Sequence, residues 1–328
     1  MNDYNEIIER RLYMYPFKLK PIYDKTIWAN NKLTTIRNVE EEGYGTSWEV
    51  SAHNYSKNEI VNGSLAGKTL FAVIEESPKE TLGDIPFEKM LRLAFLDAKD
   101  DLSIQVHPYN DYAIKYENDL GKTESWYVLD ADEGATLVAG TLCEDKEEIR
   151  KAVIEGTLEK YLRKVPIETG DFIFIPAGML HALGGGIMAI EVGTNSNTTY
   201  RFYDYNRKDA NGNGRELHIE KSFDVVDLSL QSEKVASPLV AQEKSTSKVL
   251  VDCEDFTVEL HDIVGEASFD TKGKQFHTLS FVHEDAVVEY QDMEIAVNYT
   301  DNMFVPASCG TYKIKGNTRV LISYVKQQ

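Results

Sequence analysis

The sequence predicts a mainly β protein in which one sandwich or jelly-roll unit is used twice. Three observations lead there. Runs such as 125-SWYVL-129, 171-DFIFIP-176 and 187-IMAIEV-192 are short, aromatic and β-branched, and are bounded by Gly, Asp or Asn. Neither a βαβ alternation nor a GxGxxG fingerprint is present, which disfavours a doubly wound sheet. The third is an internal echo: 171-DFIFIPAGMLHAL-183 aligns without gaps on 301-DNMFVPASCGTYKI-314, and 125-SWYVL-129 has a rougher counterpart in 278-TLSFV-282. In the second copy Thr311 stands where the first has His181.

Taken in chain order, 91-LRLAFLDA-98 and 102-LSIQVHP-108 read as strands. Residues 108–118 open with Pro-Tyr-Asn-Asp and predict a short capped helix. Residues 143–164 place Ile149, Ala152, Val153, Leu158, Tyr161 and Leu162 at helical spacing, as two short helices hinged at Gly156. The polar, Ser/Lys-rich stretch 229–248 predicts a linker, and 249-VLVDCEDFTVELHDI-263 returns to strand alternation. These elements divide the chain into a first domain over 1–235, with a helical insertion around 108–165, and a second over 245–328.

A length of 328 residues suits two modest domains or one large one, and 42% hydrophobic with 27% charged residues can build a sizeable core. The formal net charge of −19 argues against nucleic acid or an anionic membrane as partner, since both need a broad basic face. The first 20 residues mix charges throughout and lack the apolar run of an export signal. Cys143, Cys253 and Cys309 are odd in number and far apart, so a reducing cytoplasm is the expected setting.

Residues two apart on a strand face the same way, so Ser103, Gln105 and His107 project together, as do Lys122 and Glu124. His181 sits at the end of a Pro/Gly turn in 176-PAGMLHALGGG-186. Gln105, His107, Glu124 and His181 together offer two nitrogens and two oxygens, a set that suits Zn²⁺ or a similar divalent ion with positions left open. Taken alone, Arg201 would read as a surface arginine paired with Asp204 or Asp209, and Lys122 as a solvated loop lysine.

The segments LSIQVHP, GKTESWYVL (121–129), PAGMLHALGGG and 190-IEVGTNSNTTYRFYDYNR-207 occur in this order. Together they resemble the type I mannose-6-phosphate isomerases, particularly the short bacterial form, over most of residues 16–228. That resemblance implies two cupin-type (jelly-roll) β-barrels, the C-terminal one degenerate, and one Zn²⁺ per chain. It implies Gln105, His107, Glu124 and His181 as zinc ligands, Arg201 as catalytic, Lys122 as a substrate contact and Ser103 near a phosphate. It further implies Glu191 near the reacting carbons and Trp28 in the floor of the sugar pocket. The expected reaction interconverts mannose 6-phosphate and fructose 6-phosphate by moving a proton between C1 and C2 through a cis-enediol(ate). Glu191, His181 and a water on the metal remain open as the base. The expected partner is a small sugar phosphate, and the expected state a monomer or weak homodimer.

Two positions depart from the family. Where it carries a lysine toward the phosphate this chain has Ala94, and Arg92, two residues earlier on the same strand face, is the candidate replacement; 27-IWAN-30 stands for the more usual Ile-Trp-Gly-Gly. The alternative substrate is therefore an unphosphorylated or differently phosphorylated hexose, and the alternative class a non-catalytic sugar-binding cupin. His53 is expected to be packed or hydrogen-bonded, and His218, His261, His277 and His283 to lack an acidic or metal partner.

Overall fold

The computed structural model describes residues 14–208 and 212–326. The chain forms two compact units, and neither is a single run of sequence. One comprises Ile22–Trp48 and Arg92–Val240. The other gathers residues 14–21, 49–91 and 241–326. A division at one boundary near 235–245 misses the two earlier segments. Long-range pairing is the reason: Phe17 and Lys18 pair with Phe304 and Met303, and Gly83 bridges to Gln275. No helix among the described residues is long and apolar enough to cross a membrane.

The first unit is a sandwich of two sheets. The seven-stranded sheet runs in the order Lys234–Ala236, Asp171–Ile175, Glu124–Ala131, Ile187–Thr194, Leu91–Asp97, Tyr44–Val50, Ile22–Lys25. The five-stranded sheet runs Leu162–Pro166, Thr136–Thr141, His181–Ala182, Ile104–Val106, Tyr200–Tyr203. Period-2 alternation sorts their side chains. Trp126, Val128, Ile173, Ile175, Ile187 and Ala189 from the first sheet share one apolar cluster with Leu137, Ala139 and Leu183, which belong to the second sheet and its loops. The opposite face of the five-stranded sheet, with Ile104, Val106, Val138, Tyr200 and Phe202, packs against Ile149, Val153 and Phe223 of two helices, Lys146–Ile154 and Ile219–Val225.

The Lys146–Ile154 helix starts where the Asp145 carboxylate accepts from the Glu147 and Glu148 amides, and it buries Ile149, Ala152 and Val153 at i, i+3 and i+4. Gly156 then turns the chain at φ +67°, but it leads into a 3₁₀ turn, Leu158–Tyr161, and a strand rather than a second α-helix. The helix expected over 108–118 spans Asn110–Tyr116, and no side chain caps its start. Strands lie between these helices, so 108–165 is not one helical insertion. Two parts of the expected linker also pair as strands, Lys234–Ala236 on Asp171–Ile173 and Thr246–Asp252 on Thr257–Asp262.

In the second unit eight strands share a single sheet, whose spine is a 14-residue antiparallel pair, Thr257–Asp270 with Thr311–Tyr324. Phe304, fully buried, stacks between Phe17 and Phe276 at centroid distances of 6.2 and 5.1 Å. The architecture is the predicted mainly β jelly-roll type, built as open sheets rather than closed barrels.

The echo in the sequence corresponds to matched strand register. Ile173 opposes Trp126 and Ile175 opposes Glu124 in the first unit; Met303 opposes Leu279 and Val305 opposes His277 in the second. His277 therefore occupies the counterpart of Glu124. Its Nδ1 lies 2.9 Å from the Tyr312 hydroxyl, and burial pushes its pKa down to about 4. Two histidines depart from expectation: His261 Nε2 lies 2.9 Å from Glu259, two residues away on the same strand face, and His283 Nε2 lies 3.8 Å from Glu284. His53 is hydrogen-bonded, its Nδ1 accepting from the Tyr55 amide.

Candidate metal centre and active site

Between the two sheets of the first unit, strand register assembles a polar row inside an apolar layer. His181 opposes Gln105, and Gln105 opposes Arg201, so these three point to one face across three neighbouring strands. From the facing sheet come Glu124, two residues before inward Trp126, and Glu191, two residues after inward Ala189. The Trp126 ring contacts His181 edge-on at 5.7 Å.

Among the described residues, His107, Glu124 and His181 each bring one ligand atom to within 4.8 Å of the others, and all three are buried. Both rings are oriented by main-chain carbonyls: His107 Nδ1 lies 3.0 Å from Thr198 O, and His181 Nδ1 lies 2.8 Å from Met179 O. A carbonyl only accepts, so each Nδ1 carries a proton and each Nε2 is the ring atom turned to the carboxylate. Both Nε2 atoms lie 3.3 Å from a Glu124 oxygen. Gln105 joins them, its side-chain amide 3.2 Å from His181 Nε2, and a half-turn of that amide would present its oxygen instead.

The donors fit a divalent cation. Among the described residues, His107 Nε2 and both Glu124 oxygens are buried and make no hydrogen bond, the close Lys122 ammonium apart. Buried polar atoms seldom stay that way unless something else satisfies them. Two neutral imidazoles, a carboxylate and an amide oxygen are donors of the kind Zn²⁺ takes. Burial, helped by the Lys122 charge, holds His107 down near a pKa of about 4, which keeps it neutral and able to ligate.

Lys122 adds a second layer. Its Nζ is 2.6 Å from Glu124 and 2.8 Å from Glu191, tying the ligand carboxylate to a second one. Burial works against the Lys122 charge but is outweighed by the two carboxylates, so its pKa rises. Burial also works against Glu124 ionising, and there the Lys122 charge leads the effects that win, holding it well below the usual carboxylate range. Glu191 goes the other way: burial and the Glu124 charge raise its pKa despite Lys122. Two carboxyls on one lysine are thus driven apart, one held ionised and one able to exchange a proton.

The other expected residues occupy a range of settings around this cluster. Ser103 is buried on the inward side, two residues before Gln105. Trp28 is buried in the inter-sheet cluster against Gly45, where a Cβ would come within 2.6 Å of the indole. Arg92 and Ala94 both face inward with Leu96. The Arg92 guanidinium lies 3.5 Å over the Trp48 ring and donates from Nη1 to Ser196 O and Asn197 Oδ1. Arg92 thus braces the 195–198 loop whose Thr198 carbonyl orients His107, a role the sequence pattern does not suggest. Asp119 braces the same loop, its Oδ2 accepting from the Asn197 amide and the Thr198 hydroxyl. Arg201 does not pair with Asp204, which is held by Arg207 and Arg215; Asp209 lies outside the described residues. Sequence reasoning singles out none of Asp119, Arg207 and Arg215. The density of arginine and acid in 201-RFYDYNR-207 is a signal for Arg207 alone.

The chain is similar to known proteins over most of its length. The family profile "Phosphomannose isomerase type I, catalytic domain" matches residues 17–144, and "Mannose-6-phosphate isomerase, cupin domain" matches 246–325. Mannose-6-phosphate isomerase ManA of Bacillus subtilis is 32% identical over 313 residues, covering 94% of this chain and 99% of that one. The chain belongs to the type I mannose-6-phosphate isomerases. It is therefore an enzyme of the isomerase class. The probable mannose-6-phosphate isomerase GmuF of the same organism is 35% identical over the same shares of each chain. A crystal structure of the mannose 6-phosphate isomerase from Bacillus subtilis superposes with a TM-score of 0.86 at 32% identity, covering 94% of this chain and 99% of that one.

Proposed function

We propose that this isomerase interconverts mannose 6-phosphate and fructose 6-phosphate, with Zn²⁺ held by Gln105, His107, Glu124 and His181, in the cytoplasm. The observation that carries the reading is the buried His107–Glu124–His181 cluster, with both Nε2 atoms turned inward beside the Lys122–Glu191 pair. Aldose–ketose exchange needs a group that moves a proton between C1 and C2 and a positive charge for the oxygen that becomes anionic. Glu191, with its raised pKa, is assigned the proton transfer. His181 is not given that role in this reading, because its Nε2 faces the ligand cluster and its Nδ1 a carbonyl. Lys122 holds Glu191 at a fixed distance from Glu124 and screens the two carboxylates from each other. Arg201, on the same face as Gln105, is assigned the developing oxyanion. The ion, when bound, supplies Lewis-acid polarisation of the sugar oxygens. Ser103 and Trp28 are assigned to the phosphate and to the sugar ring.

One observation favours a second reading. Ala94 removes the cation that the family aims at the phosphate, and Arg92 is already engaged with Trp48, Ser196 and Asn197. An isomerase of an unphosphorylated hexose would have no use for either. A coupled assay of the zinc-loaded enzyme decides between them. Mannose 6-phosphate is expected to exceed free mannose in kcat/KM by about 10–100-fold, the worth of one charge-assisted hydrogen bond. Equal values would establish the second reading, and no turnover of either sugar would leave a binding protein. Arg92→Ala is expected to raise KM for the phosphorylated sugar by about 10-fold on the same scale. An unchanged KM would remove Arg92 from phosphate recognition.

A further inference from the structure

Beyond its strand pairing with Gln105, Arg201 makes its hydrogen bonds to one short segment. The His218 amide donates to Arg201 O at 2.8 Å, the Arg201 amide donates to His218 Nδ1 at 3.1 Å, and Arg201 Nη1 donates to Glu216 O at 2.8 Å. Its Nε is buried and makes no hydrogen bond among the described residues. Whatever fixes the 215–218 segment therefore helps aim the Arg201 guanidinium, while the strand pairing holds its backbone.

That anchor is Asp204, buried at 4% exposure. Arg215 grips it with two bonds, Nε to Oδ2 at 2.8 Å and Nη2 to Oδ1 at 2.7 Å. Arg207 approaches from the other side, with Nε 3.0 Å from Oδ1, and its Nη1 continues to Asp101 O. A forked, two-bond guanidinium–carboxylate contact sets direction as well as distance. One carboxylate thus faces three guanidiniums, and Arg201 is the one it does not touch. Arg201 is left under burial and the repulsion of Arg215 and Arg207, and Asp204 is the leading charge opposing that repulsion.

We propose that Asp204 is a positioning residue for the isomerase reaction: by clamping Arg215 and Arg207 it fixes the 215–218 segment and so holds Arg201 toward the Gln105–His181 row. This rests on the proposed function, in which Arg201 acts on the substrate. Displacement of a catalytic group by about 1 Å costs up to roughly 10²-fold in rate, so Asp204→Asn is expected to lower kcat about 10–100-fold with KM within about 2-fold. Arg215→Gln, which leaves Asp204 its Arg207 partner, is expected to show the same pattern more weakly, and it decides the matter if Asp204→Asn fails to fold.

The test is a double-mutant cycle on the metal-loaded enzyme, with kcat and KM measured for each variant. If Asp204 works through Arg201, Asp204→Asn costs little further once Arg201→Ala is present. If both backgrounds lose the same factor, Asp204 is only structural and the proposal fails. If Asp204→Asn and Arg215→Gln both fold with kcat unchanged, it fails as well. Full activity of Arg201→Ala alone would overturn the role of Arg201 itself, a separate outcome.

Discussion

Arg201→Ala is expected to lower kcat by about 10²–10³-fold, the usual cost of removing one preorganised group that meets developing charge. Several features make this loss large and specific. Arg201 shares a strand face with Gln105, directly across from it in register, and its Nε is buried with no bond inside the protein among the described residues. A buried donor of that kind is costly to keep unless a ligand meets it. Its bonds to the rest of the fold go chiefly through its main chain, which alanine keeps, so the variant should remain folded with its metal content intact. Arg201→Lys should recover only part of the loss, because an ammonium lacks the planar fork. Steady-state kinetics beside circular dichroism checks this, and kcat within about 3-fold of the parent would remove Arg201 from the chemistry.

Chelation is expected to abolish turnover, with added Zn²⁺ restoring it, and Glu124→Gln is expected to lose both the ion and the activity. The substitution keeps the shape of a fully buried side chain and removes its charge. Loss of a partner that merely orients a ligand typically costs about 10–100-fold in metal affinity, so loss of the ligand charge itself should cost more. Lys122 keeps Glu191 as partner in the variant, which limits damage to the fold. Elemental analysis of the purified variant, read beside its rate, separates the steps. Stoichiometric metal with full activity in Glu124→Gln, or full turnover by a verified metal-free enzyme, would end the metal account.

How much of this can be read from the residues divides along the range of the interactions. Strand alternation is local, so the inward faces of 104–106, 124–131 and 187–194 are legible, and with them the convergence of Gln105, Glu124 and His181. The echo between 171–183 and 301–314 is legible for the same reason, and it corresponds to one strand register used twice. The composition of the two units is not, because the pairing of Phe17 with Phe304 leaves no mark near either residue. Main-chain orienters such as Thr198 O and Met179 O are invisible in a string of side chains. Spacing suggests Asp204 only as a partner for Arg201; the bidentate grip of Arg215 depends on how the chain returns, which spacing does not reveal.

The two carbonyls that aim the imidazoles belong to the folded backbone, and the sandwich around them is closed by apolar packing rather than by the ion. A cation would thus enter a finished socket instead of organising a loose one. Stripping it should lower the melting temperature without unfolding the chain at ordinary temperature, while silencing the reaction, unlike small domains whose fold is created by their metal.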